Sequence, residues 1–192
     1  MKNKELFSTD SFSITLLTNI NQPDPHPWEP HLPKGWRIQR GKLETGDIAL
    51  ARLPEGVVIV RKTPSDLIEC FFPNRKCFER ELRRSRIVER LLIVVEGSLS
   101  DVHYAATVVK ENLSNQRDKI EFHHNFITDT LASWMVRFCP IIFAGGLAQA
   151  ADFAFCALAA QGRDSGPCGH GNLGQCLDCD YMEEIRATRE EC

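Results

Sequence analysis

The sequence predicts an α/β protein, a mixed sheet with helices on both faces. Three features of its 192 residues point there. Short β-rich runs crowd the first third of the chain. Leu91–Glu96 and Pro140–Ala144 are continuous apolar runs that suit strands buried on both faces, and helical patterns alternate with them. With 43% apolar and 26% charged residues, the composition is that of an ordinary globular domain rather than a disordered or fibrous chain. No apolar run has the length of a membrane span, and residues 1–5 lack the apolar core of a signal peptide. An intracellular protein, of cytoplasm or nucleoid, is the expectation.

Residues 1–12 are polar without period and are expected to be a loose lead-in. A domain over 13–161 follows, then a Gly/Cys-rich acidic tail over 162–192. Ser13–Thr18 reads as a strand. Five prolines within 22–34 exclude a regular helix or central strand, leaving an extended loop. Trp36–Gln39 is a weak strand. Asp47–Arg52 and Val57–Lys62 form a hairpin whose expected connection is Leu53-Pro54-Glu55-Gly56. Thr63 is a candidate N-cap, with Pro64 opening a helix. Residues 75–90 place Phe78, Leu82 and Ile87 among basic side chains, the pattern of an amphipathic helix. Helices are also expected over 99–114, 126–138 and 148–160.

The net charge of −3 conceals an asymmetry. Residues 75–90 carry seven basic and three acidic side chains, and residues 178–192 two basic and six acidic ones. The basic segment suits a phosphate backbone; a solvated helix face is the plainer alternative. Cys70, Cys77, Cys139 and Cys156 lie in apolar or helical segments and read as buried or partly buried free thiols. Cys168, His170, Cys176 and Cys179 cluster in the tail, a set that suits one structural Zn²⁺. A disordered tail, and disulfide or redox use of the thiols, are the alternatives. Trp134 reads as core.

The hairpin holds the candidate chemistry. Asp47 opens one strand and Lys62 closes the next, while residues 60 and 62 share a face. Taken alone, Asp47 and Lys62 read as a surface ion pair, a common and weak contact. Thr45-Gly46-Asp47-Ile48-Ala49-Leu50 followed by Val60-Arg61-Lys62-Thr63-Pro64-Ser65-Asp66 resembles the XPF-type nuclease signature, Gly-Asp…Glu-Arg-Lys-x3-Asp. The resemblance extends in order over roughly residues 13–160. It takes in the basic stretch Arg75–Leu82, the run Leu91–Leu99, and Thr130–Phe138 with Pro140–Gly145.

This resemblance implies a restriction-endonuclease-like core. It implies Mg²⁺ or Mn²⁺ as cofactor, and branched or flap-bearing DNA as substrate. A homodimer, or a heterodimer with another nuclease subunit, is implied as well. It assigns Asp47, Lys62, Arg61 and Asp66 to the catalytic motif, with Asp47 as metal ligand. It places Arg61, Arg75, Lys76, Arg80, Arg83 and Arg84 at the DNA. The sequence departs from the family where Val60 replaces the Glu of Glu-Arg-Lys. Thr18 and Asn21 stand where many relatives carry an Asp-x-x-Glu pair. One carboxylate beside an aliphatic side chain is a poor Mg²⁺ site. The expectation is a DNA-binding protein with impaired catalysis. One alternative is an active endonuclease with a relocated acid, for which Glu44, Glu55 and Glu69 are the nearby candidates. The other is a non-catalytic partner of another nuclease.

Overall fold

The computed structural model describes residues 14–71, 74–112 and 124–164. The strands are β1 (Thr15–Asn19), β2 (Arg37–Gly41), β3 (Ile48–Leu50), β4 (Leu53–Lys62), β5 (Arg90–Val95) and β6 (Ile141–Phe143). The helices are α1 (Pro64–Glu69), α2 (Arg75–Arg84), α3 (Leu99–Asn112), α4 (His124–Arg137) and α5 (Leu147–Asp164). The six strands form one sheet in the order β2-β1-β3-β4-β5-β6. β1 and β2 run parallel, as do β4, β5 and β6, while β3 is antiparallel to both of its neighbours.

Strand alternation sorts the side chains onto two faces. Ala49, Val58, Val60, Ile93 and Val95 join Leu67, Phe78, Leu82, Val102, Leu131 and Trp134 in a core beneath α1–α4. Leu16, Ile48, Ile59 and Val94 meet Trp28 and the small-residue face of α5, built from Ala150, Ala151, Ala154, Phe155 and Leu158. Helices therefore cover both faces, as the sequence predicts. Trp134 is 1% exposed, and its indole N–H donates to Glu79 Oε1 at 3.2 Å. Among the described residues no helix is long and apolar enough to cross a membrane.

Several boundaries differ from expectation. The hairpin turns at Ala51-Arg52, and Leu53–Gly56 belongs to β4. Leu50 pairs with Leu53 and Ala49 with Val58, so residues 54–57 form a bulge. Pro54, which has no N–H to donate, falls inside it. The basic segment is not one helix over 75–90. It breaks after Arg84 into a single 3-10 turn, Ser85–Ile87, because the chain must enter β5 at Arg90. The Pro-rich stretch contains one 3-10 turn, Glu29–His31, and a cis Asp24–Pro25 bond. α5 runs to Asp164, beyond the expected domain end at 161. The lead-in 1–12 and the proposed zinc ligands Cys168, His170, Cys176 and Cys179 lie outside the described residues. Cys70 and Cys139 are buried, and burial pushes each thiol up to about 11. Cys77 and Cys156, by contrast, are exposed.

Candidate functional site

The chemistry-bearing residues gather at one end of the sheet. β1 ends there at Asn19, β3 begins just after Asp47, β4 ends at Lys62, and Glu96 follows β5. Gly46 makes the entry to β3 possible. Its φ is +72°, and a Cβ would collide with the Val58 side chain, so only glycine fits before Asp47. The backbone then locks Asp47 in place: its N–H donates to Ile59 O at 2.8 Å, and its carbonyl accepts from Asn19 N at 2.9 Å.

Both carboxylate oxygens of Asp47 are engaged. Oδ1 accepts from Gln22 Nε2 at 2.6 Å and Oδ2 from the Arg61 backbone N–H at 2.8 Å. Burial raises its pKa to about 6, against the lowering effect of the Arg61 N–H and the Lys62 charge; the charge of Glu81 raises it further. A carboxyl in that position is readily protonated in mildly acidic solution.

Residues 60–62 alternate between the two faces. Lys62 lies on the Asp47 side, its ammonium 5.2 Å from the centre of the Phe78 ring. Val60 shares that face but is only 1% exposed, packed in the core under α2. Arg61 points to the opposite face. Its Nε donates to Glu96 Oε1 at 2.6 Å and its Nη2 to Oε2 at 2.8 Å, a bidentate pair whose side chains are 14% and 5% exposed. Trp28 Nε1 donates to the same Oε1 at 2.5 Å. Arg61, expected at a phosphate, is thus committed to a buried carboxylate. Asp66, expected in the catalytic motif, closes a capping box on α1 with Thr63.

The first strand also requires a correction. Thr18 is 2% exposed and shares the face of Leu16, which packs beneath α5. It therefore lies on the wrong side of the sheet to act with Asp47. Asn19 and Gln22 are the polar residues that meet the Asp47 loop: Asn19 Nδ2 donates to the carbonyls of Leu43 and Gly46, and Gln22 binds Asp47 itself. A one-residue slip in register reverses every side chain of a strand, which is how Thr18 comes to face α5, whereas Asn21, beyond β1, does line the cleft with Asp47.

Asn21, Gln22, Glu44, Thr45 and Asp47 form one wall of a cleft of about 360 Å³, and Cys77, Arg80, Glu81 and Arg84 of α2 form the other. These α2 residues repeat at helical spacing, so one stripe of the helix faces the cleft. Lys76, Arg80, Arg83 and Arg84 are exposed. Arg75 is tied to Glu79 by an ion pair of 2.9 Å and stacks over Phe126. Of the three acids nearest in sequence, Glu44 lines the cleft, whereas Glu55 sits in the β4 bulge and Glu69 ends α1. The sequence reading missed Glu81, although its spacing from Cys77 and Arg84 already placed all three on one stripe.

The donor set tests the Mg²⁺ or Mn²⁺ site that the resemblance implies. The hairpin offers one carboxylate, Asp47, and residue 60 offers no oxygen. A two-carboxylate site built from residues 47 and 60 does not fit this chain. Glu81 is the carboxylate that α2 brings to the other wall of the cleft.

No protein-family model matches the chain, and no curated protein matches it. Solved structures do. XPF from Aeropyrum pernix is 15% identical, with 89% of this chain and 73% of that one covered at a TM-score of 0.53. XPF from Aeropyrum pernix in complex with DNA is likewise 15% identical, with 80% and 68% covered at a TM-score of 0.50. The mixed six-stranded sheet between two helical layers is accordingly the restriction-endonuclease-like fold of XPF.

Proposed function

We propose that the chain binds DNA through the exposed stripe of α2, and that phosphodiester hydrolysis is impaired. The observation that carries this reading is the contrast across the cleft. Arg80, Arg83 and Arg84 are exposed on α2, whereas Val60 is sealed in the core where the family motif has a carboxylate. A neighbour of the same fold was solved in complex with DNA, which supports the assignment. Branched or flap-bearing DNA is the substrate class that the sequence resemblance suggests, and a second nuclease-fold subunit is the suggested partner. Lys76 joins the three arginines as a phosphate-contact candidate. Arg61 drops out of that set because its guanidinium is paired with Glu96.

Salt dependence tests the assignment. Each neutralised phosphate of duplex DNA contributes about −0.9 to the slope of log K against log salt. In EDTA, replacing Arg80, Arg83 and Arg84 with alanine is expected to weaken binding to a flap DNA and to flatten that slope by about 2–3, as read by fluorescence anisotropy. Unchanged affinity and slope would assign the basic face to a protein partner instead.

A further inference from the structure

The basic end of α2 lies beside the point where the chain leaves the fold. Glu89, in the connection from α2 to β5, donates its backbone N–H to Glu55 O at 2.7 Å. Gly56, the next residue of the same β4 bulge, meets the Gln161 side chain of α5 so closely that a Cβ would collide with it. Arg52 Nη2 donates to Gly162 O at 2.5 Å. α2 and α5 cover opposite faces of the sheet, yet both reach this bulge, and α5 ends shortly after it at Asp164.

The surface there is basic and uncompensated. Arg83, Arg84, Arg86 and Arg90 are exposed, and none of their side chains forms an ion pair with a described residue. With Lys76, Arg80 and Arg52 they make seven cations, against Glu55, Glu81 and Glu89, a balance of +4 once the Arg75–Glu79 pair is set aside. The far wall of the cleft does not offset it, because Glu44 is paired with Lys42 and Asp47 stands near Lys62. Ile87, 54% exposed, sits among these arginines. A phosphate backbone offers that side chain little apolar surface.

Residues 178–192, outside the described residues, have the complementary chemistry. Six acids and two arginines give them a charge of −4, and Tyr181, Met182 and Ile185 lie between the acids. The thirteen residues from 165 to 177 span at most about 45 Å when extended, and the patch begins beside their point of attachment. A short tether gives an effective concentration in the millimolar range, so weak charge contacts suffice.

We propose that residues 178–192 dock in cis on the basic surface around Arg83, Arg84, Arg86 and Arg90 and shield it from DNA, which must displace them to bind. The inference rests on the reading of α2 as the DNA-facing helix.

Neutralising the six acids in the full chain tests it, with Asp178→Asn, Asp180→Asn, Glu183→Gln, Glu184→Gln, Glu190→Gln and Glu191→Gln combined. Proton–nitrogen correlation spectra without DNA read the docking itself. The amides of residues 83–90 are expected to differ between the unaltered protein and the variant at about 0.05 M salt. They should coincide near 0.5 M, where the Debye length is about 4 Å. A change in net charge alone would not move the amides of one segment. In EDTA at low salt, the variant is expected to bind flap DNA about tenfold more tightly, since the free surface is no longer a minor population. Identical amide positions over 83–90 at low salt would overturn the inference. So would equal DNA affinity of the two proteins, and in either case salt-sensitive DNA binding lost with Arg80, Arg83 and Arg84 would leave the proposed function standing. No DNA binding by either protein would overturn the proposed function and the shielding with it.

Discussion

Val60→Glu is expected to destabilise the protein by about 3–5 kcal/mol at neutral pH, the range for a buried charge without a partner. Val60 is 1% exposed and pairs with Ile93 in the adjacent strand, beneath Phe78 and Leu82 of α2. A glutamate there adds volume to a packed core as well as charge. Lys62 shares its face, but the ammonium lies over Phe78, and pairing would draw that charge inward. The new carboxyl would meet burial by holding its proton, so its pKa would rise on folding. A carboxyl whose pKa is raised on folding carries no charge penalty below its unfolded pKa, and costs stability increasingly as pH rises from there through the folded one. The destabilisation should therefore shrink as pH falls from 8 toward about 4, the ordinary glutamate range. Urea unfolding of Val60→Glu and Val60→Gln at several pH values reads this directly. A well-folded glutamate variant with an unshifted carboxyl would show that residue 60 opens onto the cleft.

Arg61→Ala is expected to cost a similar amount, about 3–5 kcal/mol, because it leaves Glu96 buried with one neutral donor, Trp28 Nε1. Adding Glu96→Gln to Arg61→Ala should recover part of that loss, since the stranded charge is then gone. DNA affinity of the folded single variant should change little, because the guanidinium lies on the face away from α2. A stable Arg61→Ala protein that has lost its DNA affinity would place Arg61 at a phosphate after all.

These two residues show where the sequence was legible. The period of two along β4 already placed residues 60 and 62 together, and Arg61 on the other face follows from the same rule. Its partner does not, because Glu96 lies 35 residues away and meets it only when β4 and β5 pair. Gly46-Asp47, the Thr63 cap, the two apolar strands and the layered fold were readable because each rests on local chemistry or on a continuous pattern. The face of Thr18 was not, since β1 is five residues long and lies between two partners, β2 and β3, that jointly set its register. The bulge in β4 was hidden for a related reason: the strand continues past the turn to satisfy β5 as well as β3. Glu81 escaped notice because a basic helix draws attention to its arginines, and only the packing of Phe78 and Leu82 fixes which stripe meets the cleft.

The central claim is that binding survives on this fold while cutting is impaired. It is tested most directly by incubating one labelled flap DNA with the purified protein, with anisotropy read in EDTA and strand cleavage read in Mg²⁺ and in Mn²⁺. The expected result is salt-sensitive binding in EDTA, with the strands left largely intact in both metals at protein concentrations that saturate the DNA. Multiple-turnover cleavage by the unaltered protein, abolished by Asp47→Asn, would contradict the claim and make the cleft a working nuclease centre.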